Sequence, residues 1–156
     1  MNHHRLTVSD YQSLAEFRYQ IRRFQRFSED AARQIGIEPQ HHQLMLAIKG
    51  KPLGEEARIA YLAERLQIQH HSAGELVDRL VSKGLIARTR SSEDRREVFV
   101  KLTPRGEQVL HQLTLHTRAE LRSAAPALVA ILRKLAPLAR NANNLRKTRA
   151  SMVVGD

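Results

Sequence analysis

Residues 59–102 read IAYLAERLQIQHHSAGELVDRLVSKGLIARTRSSEDRREVFVKL, and this stretch decides the fold. Apolar residues recur every three or four positions in two short segments, first from Ile59 to Leu66 and then from Ala73 to Leu80. This spacing puts the apolar side chains on one face of an α-helix, so two short helices are predicted. Gly84 is placed to end the second helix. Two helices separated by only two or three residues predict a helix-turn-helix unit.

A β-hairpin is predicted directly after the second helix. Leu85–Arg90 is typical of a strand, residues 91–96 of a polar turn, and Val98–Leu102 of a returning strand. A hairpin in this position is a wing. Its tip carries Arg95 and Arg96, and these are flanked by Arg88 and Arg90.

The segment before these elements is predicted to be helical as well. Apolar residues follow one another every three or four positions from Val8 to Ile35, with Thr7 or Ser9 as the cap and Gly36 at the end. The mean step of about 3.4 residues is close to that of a coiled-coil seam. A helix of this length exposes more apolar surface than one small domain covers, so we expect a partner chain to cover the rest.

Three further helices complete the predicted order. One runs from Pro39 to Gly50, ahead of the helix-turn-helix unit. After the hairpin, Thr103 and Pro104 suit the start of a fifth helix. Ser123 and Pro126 are expected to restart a sixth helix, which runs to residue 135. Dimerisation is the simplest use for the apolar faces of the helices at both ends of the chain.

Composition restricts the classes of protein to which the chain can belong. The chain has 156 residues, a formal net charge of +10 and no cysteine, which excludes disulfides, thiolate zinc sites and thiol redox chemistry. The longest apolar run, Ala124–Leu132, is far shorter than the ~20 residues that cross a bilayer. With no signal-peptide pattern at the N-terminus, a cytoplasmic protein is expected. The excess of basic residues favours a polyanionic partner.

The largest positive charge lies in the C-terminal third of the chain. The tail carries Arg140, Arg146, Lys147 and Arg149. Two interpretations of this tail remain open, either a solvated and partly frayed end or an additional arm that contacts phosphates.

Five short motifs, taken together, resemble the MarR family of bacterial transcription regulators. The similarity extends from residue 10 to residue 138, and the motifs have the family's order and spacing. They are Leu62-Ala63-Glu64-Arg65-Leu66, Leu76-Val77-Asp78-Arg79-Leu80, Lys83-Gly84-Leu85-Ile86, Asp94-Arg95-Arg96 and Leu102-Thr103-Pro104-Arg105-Gly106.

The resemblance implies a fold class and a domain organisation. The chain would be mainly α-helical with a small β wing, as one domain over residues 1–156 that forms a triangular homodimer. Residues 57–103 would be the winged helix-turn-helix lobe, 8–36 and 104–138 the dimerisation helices, and 139–156 a basic tail.

The resemblance also implies a function. The protein would be a sequence-specific regulator that binds double-stranded DNA at a near-palindromic operator, as a dimeric repressor released by a small aromatic, phenolic or anionic ligand. The alternative is a winged-helix architectural or protein-docking module without ligand control. The absence of cysteine excludes the branch of the family that senses peroxide through a thiol.

The second helix of the helix-turn-helix unit supplies the first group of candidate DNA-binding residues. They share the side of the helix that faces away from the apolar stripe, where a major groove would meet them: His70, His71, Ser72, Gly74, Glu75 and Arg79. An imidazole can donate to guanine, and a glutamate can accept from cytosine N4. Two alternatives stay open, that Gly74 is an ordinary surface glycine and that Asp78 and Arg79 form ion pairs or stabilise the lobe.

The wing supplies the second group of candidates. Arg95 and Arg96 suit a narrow, negative minor groove, with Asp94 holding one of them in place, and Arg88 and Arg90 lie beside them. In the alternative interpretation the wing is only a solvated basic turn.

Effector-binding candidates follow from the resemblance, which places a pocket between the dimer helices and each lobe. Tyr11, Phe17, Arg18 and His41 are the candidates, and His41 lines either the core or this pocket.

Neither a metal site, a cofactor nor an enzymatic activity is expected. The paired histidines, such as His70 and His71, point about 100° apart on a helix and do not share one ion readily. The sequence has no glycine-rich phosphate loop and no paired carboxylates at a useful spacing.

Overall fold

The computed structural model describes residues 6–90 and 98–152. Within these ranges the protein is mainly helical with one two-stranded antiparallel sheet, which confirms the predicted fold class. The elements are α1 (Val8–Gln34), α2 (Pro39–Lys49), α3 (Ile59–Leu66), α4 (His70–Ser82), β1 (Ile86–Arg90), β2 (Val98–Leu102) and α5 (Pro104–Met152).

The chain divides into two compact units. Residues 27–118 form the first, which we call the lobe and which contains α2, α3, α4, the hairpin and the adjoining ends of α1 and α5. The remaining parts of α1 and α5 form the second, which we call the helical unit. The roles predicted for residues 8–36, 57–103, 104–138 and 139–156 stay predictions.

A capping box starts α1. The Asp10 backbone N–H donates to Thr7 Oγ1 at 3.3 Å, and the Thr7 N–H donates to Asp10 Oδ2 at 2.7 Å. Two N–H groups at the end of the helix thereby gain partners, so Thr7 rather than Ser9 is the cap.

The predicted sixth helix is wrong, because α5 continues as a single helix of 49 residues through Ser123 and Pro126. Proline removes one backbone donor and typically kinks a helix or ends it. Here helical turns continue on both sides of Pro126, so the loss of that one hydrogen bond does not end the helix.

The hairpin pairs in a simple register, from Ile86 opposite Leu102 at its base to Arg90 opposite Val98. The segment before α3 is attached to the hairpin, since the Val100 N–H donates to the Ala57 carbonyl at 3.0 Å. The wing is therefore fixed to the lobe along β2 as well as through β1.

A tight junction joins the base of the hairpin to α5. The Thr103 N–H donates to the Leu85 carbonyl at 3.0 Å, and Thr103 Oγ1 donates to the Gly84 carbonyl at 2.8 Å. The same hydroxyl accepts the Gly106 N–H at 3.0 Å and so caps α5. A Cβ atom on Gly106 would lie 1.9 Å from the Leu85 carbonyl oxygen, so this position accepts only glycine.

The core of the lobe is built from the apolar faces of all its elements. Each of α2, α3, α4, β1, β2 and α5 contributes, and the largest fully buried apolar side chains are Leu44, Met45, Leu62, Val77, Leu80, Ile86, Val100 and Leu113.

Two adjacent histidines interrupt this apolar core. His41 and His42 are 0% and 2% exposed. Both ring nitrogens of His41 and Nδ1 of His42 lack a hydrogen-bond partner among the described residues. Burial lowers the pKa of both imidazoles, because a charged ring would lose its hydration. At His41 the nearby Glu38 carboxylate opposes this shift in pKa, whereas Lys83 and Arg79 add to it.

We predict that Gly106→Ala destabilises the protein by about 2–3 kcal/mol, because the new methyl group would overlap a backbone carbonyl that is itself held by Thr103. Gly74→Ala is the matched control, since a Cβ there meets no atom within 4 Å. The control should leave the free energy of unfolding unchanged or raise it by up to ~1 kcal/mol. Urea unfolding followed by circular dichroism measures both, and equal stabilities of the two variants would contradict the assigned junction.

We also predict that stability falls with acidification. Because the folded-state pKa of each buried histidine lies below 6.5, the unfolded chain binds protons first as the pH drops. The free energy of unfolding is therefore at its full value above about pH 6.5. As the pH falls from there to the folded-state pKa, it decreases by up to ~1.4 kcal/mol per pH unit for each histidine. Urea unfolding at pH 7.5 and 5.5 should show a smaller decrease for His42→Leu than for the wild type. His111→Gln, at an exposed position, should behave as the wild type does.

Candidate nucleic-acid interface

The helix α4 has two chemically different faces. Ala73, Leu76, Val77 and Leu80 are buried in the core of the lobe. On the other side, His70, His71, Glu75 and Arg79 are exposed, and Ser72 and Gly74 are partly buried. Four of the six residues predicted on α4 are therefore exposed to solvent.

The N-terminus of α4 has no side-chain cap. Gln69 occupies the cap position with extended backbone, and its side chain makes no capping hydrogen bond. The first N–H groups of a helix have no partner within the helix, and together with the helix dipole they favour an anion. His70 and His71 are exposed at this same end, so donors from backbone and side chains lie together.

Gly74 is not required by the packing of the lobe. Its backbone is helical, and a Cβ atom there would lie in open space. A glycine in a helix costs ~1 kcal/mol relative to alanine. The open space at Gly74 is sufficient for another molecule to approach the helix backbone closely.

The charged residues of α4 form one ion pair within the helix and one with β1. Glu75 Oε2 lies 3.7 Å from Arg79 Nη2, one turn away on the same helix. Asp78 instead accepts a hydrogen bond from Arg88 on β1. This second pair connects the exposed side of α4 to the base of the wing.

Sequence reasoning missed the pairing of Asp78 with Arg88. The two residues are ten positions apart on different elements, and only the turn at Gly84 brings them together. Arg88 is one of the predicted DNA-binding residues, and in the structure its Nη2 already donates a hydrogen bond to Asp78 Oδ1.

Arg90 is the other described arginine of the wing. It is exposed at the end of β1, two residues beyond Arg88, and strand geometry places both on the same face. The predicted residues Asp94, Arg95 and Arg96 lie outside the described residues.

The candidate effector residues are divided between the two units. In the helical unit, Phe17 and Arg18 line a cleft of about 240 Å³ with Ile21, Arg22 and Gln25. Tyr11 is exposed on the same helix but does not line this cleft. His41 belongs to the lobe, where it lies in the core, the first of the two places expected for it.

A second cleft, which the sequence did not indicate, lies within the lobe between the end of α1 and the third and fourth turns of α5. Its volume is about 330 Å³, and Phe27, Asp30, Gln34, Gln112 and His116 are among the lining residues. No sequence signal finds this cleft, because it depends on how two residue stretches 80 positions apart pack together.

Two kinds of feature are absent from the part of the chain that the structure describes. No three histidine, aspartate or glutamate side chains there form a group that could hold a metal ion. Among the helices of residues 6–90 and 98–152, none is long and apolar enough to span a membrane.

A comparison with known protein families gives a match for the segment that contains α2, α3, α4 and β1. Residues 35–97 match the model of the MarR family. No curated protein matches the chain.

Solved structures match over most of the chain. AbsC, a MarR family transcriptional regulator from Streptomyces coelicolor, is 18% identical with a TM-score of 0.67, over 90% of this chain and 98% of that one. A mutant of MarR from E. coli, complexed with operator DNA, is 21% identical with a TM-score of 0.58, over 76% and 89%. CouR from Rhodococcus jostii RHA1, bound to p-coumaroyl-CoA, is 16% identical with a TM-score of 0.60, over 85% of each chain. At these identities the likeness is one of fold.

Proposed function

Because residues 35–97 are a MarR family segment and the chain has the fold of MarR family transcription regulators, we propose that it is a dimeric, sequence-specific regulator that binds double-stranded DNA. The observation that carries the proposal is the exposed side of α4, with its uncapped N-terminus and exposed histidines beside the basic wing. The proposed activity is binding and not catalysis.

In this proposal α4 enters the major groove with its N-terminal turns first. His70, His71 and Ser72 contact base edges or the adjacent phosphates, and Gly74 permits close approach of the backbone. The free N–H groups at the start of α4 bind a phosphate and fix the position of the helix along the DNA.

The wing has a different role in the proposal. Arg90 contacts the sugar-phosphate backbone, and Arg95 and Arg96 extend into the minor groove with Asp94 as their support. Arg88 acts chiefly through its contact with Asp78, which holds the wing base against α4. The recognition helix and the wing then approach the DNA as one rigid body.

Dimerisation is supported by the exposed apolar side chains of the helical unit. Val8, Tyr11, Leu14 and Leu132 are 72%, 62%, 51% and 48% exposed. Exposure of such large apolar side chains to water is unfavourable, and contact with the same surface of a second copy would bury them. A twofold-symmetric dimer would bind a near-palindromic operator, and repression follows where that operator overlaps a promoter.

Ligand control is a further part of the proposal, and it receives support from two observations. The cleft in the lobe between α1 and α5 has a volume within the usual range for small-molecule sites, and a smaller cleft lies beside Arg18. The similar protein CouR was solved with p-coumaroyl-CoA bound. A small aromatic or phenolic anion that binds the DNA-incompetent state more tightly would release the operator.

We predict that substitutions in α4 and in the wing change DNA binding differently. The operator for this test is obtained by selecting the fragments of genomic DNA that the protein binds. His71→Ala or Ser72→Ala should cost ~1–3 kcal/mol on that operator and relax base preference. Arg90→Ala should weaken binding to all sequences and lower the slope of log K against log salt by ~0.9. Arg33→Ala, an exposed arginine paired with Glu29 and Asp30 on α1, is the control and should change neither quantity.

Fluorescence anisotropy over a series of salt concentrations measures both quantities, and sedimentation equilibrium gives the stoichiometry. Two chains are expected per operator. Equal affinity for the selected operator and for random DNA would favour the architectural alternative. A monomer of 17.8 kDa at every concentration would contradict the dimer.

We predict that an effector such as salicylate binds the free dimer more tightly than it binds the operator complex. A tenfold difference corresponds to ~1.4 kcal/mol of coupling, and linkage requires the operator to weaken ligand binding by the same factor. Calorimetric titrations of both states measure this. Identical affinities would exclude allosteric control by that ligand.

A further inference from the structure

A third cleft opens on the lobe at a place that the proposed DNA contacts do not include. It has a volume of about 500 Å³ and lies where the end of α2, the turn that follows it, β2 and the first turns of α5 meet. None of its lining residues belongs to α4 or β1. Its size falls within the usual range for sites that bind small organic molecules.

The floor of this cleft is apolar. Ile48 and Val100 are 4% and 1% exposed, and Leu102 is half-buried beside them. At the rim, the side chain of Leu53 is completely exposed, beside Pro52. An apolar ligand body lying on the floor and against Leu53 would remove this surface from water, which is favourable.

The rim of the same cleft is basic. Lys49, Lys51 and Lys101 line it against a single carboxylate, that of Glu107, so three positive charges less one negative charge leave a net charge of +2. This combination of an apolar floor and a cationic rim matches a molecule that has an apolar body and an anionic head.

The ammonium groups of Lys49 and Lys51 can donate hydrogen bonds to a new partner. Lys49 Nζ lies 2.6 Å from Glu107 Oε1, but both side chains are more than half exposed, so water weakens this pair. Lys51 Nζ donates to the Glu55 carbonyl. Each ammonium group has three donors, so these contacts leave donors for a bound anion.

We propose that this cleft binds a small amphipathic anion, a carboxylate or phosphate ester with an aliphatic or aromatic body. The head group lies among Lys49, Lys51 and Lys101. The body lies on Ile48 and Val100 under Leu53. The site is part of the lobe alone, so it does not depend on the proposed binding of DNA.

The test titrates the full-length protein, labelled at isoleucine, leucine and valine methyl groups, with four probes observed by nuclear magnetic resonance. The probes are octanoate, octyl phosphate, octylammonium and inorganic phosphate. The two amphipathic anions should shift the methyl resonances of Ile48, Leu53 and Val100. They should bind at least about tenfold more tightly than octylammonium, which has no anionic head group, or inorganic phosphate, which has no apolar body.

Single substitutions at the ion pair give results of opposite sign. Lys49→Gln should weaken octanoate binding about three- to tenfold, whereas Glu107→Gln should strengthen it, because the carboxylate no longer competes for Lys49. Leu53→Ser should weaken binding without affecting the core, since this side chain is fully exposed. Lys134→Gln, at an exposed position on α5 outside the cleft, is the matched control and should leave the affinity unchanged.

Each contrary outcome would overturn the proposal. If octanoate and octylammonium bind equally tightly, the lysines do not select an anion. If inorganic phosphate binds as tightly as octyl phosphate, the apolar floor does not contribute to binding. Shifts confined to other methyl groups would place the ligand elsewhere. Weaker binding by Glu107→Gln would contradict the assigned competition. If an acidic, leucine-containing peptide shifts these methyl groups while octanoate does not, the cleft is a protein-docking surface instead.

Discussion

The contact between Gly106 and the Leu85 carbonyl is the constraint on which the lobe depends. Leu85 ends the turn after α4 and precedes β1, whereas Gly106 lies in the first turn of α5. The contact has no room for a side chain, and Thr103 fixes both partners through hydrogen bonds to Gly84, Leu85 and Gly106. The end of α4, the start of β1 and the start of α5 consequently meet at one closely packed point.

The packing of α4 in the lobe determines which of its residues form the candidate DNA-binding surface. Burial of Ala73, Leu76, Val77 and Leu80 fixes the rotation of the helix, and this rotation decides which polar side chains reach solvent. The pairing of Asp78 with Arg88 then fixes the wing base relative to the helix. The fold therefore fixes groups of both elements in the free protein, which would reduce the entropy lost in the proposed binding of DNA.

Buried histidines next to this surface give the lobe an unusual core. His41 and His42 occupy places that an apolar side chain would fill without a penalty for unpaired nitrogens. His41 also lies near Glu38, whose carboxylate is 4.0 Å from Lys83 at the end of α4. Glu38 therefore lies between the buried His41 imidazole and the Lys83 ammonium group that follows α4.

The sequence alone determined the order of the elements from α1 to the start of α5 and the two faces of α4, because helical periodicity, capping residues and turn residues act over a few neighbouring positions. That position 106 accepts only glycine depends instead on the Leu85 carbonyl, 21 residues away in the sequence. The sequence did not determine that α5 continues through Pro126. Whether a helix continues there depends on the free energy of one lost hydrogen bond relative to that of the whole remaining helix, and a local sequence pattern does not give this difference. Only the tertiary structure decided that Asp78 binds Arg88, that His41 is buried, and that Lys49, Leu53 and Lys101 surround one cleft. These features join residues distant in sequence, and their positions depend on how whole elements pack against each other.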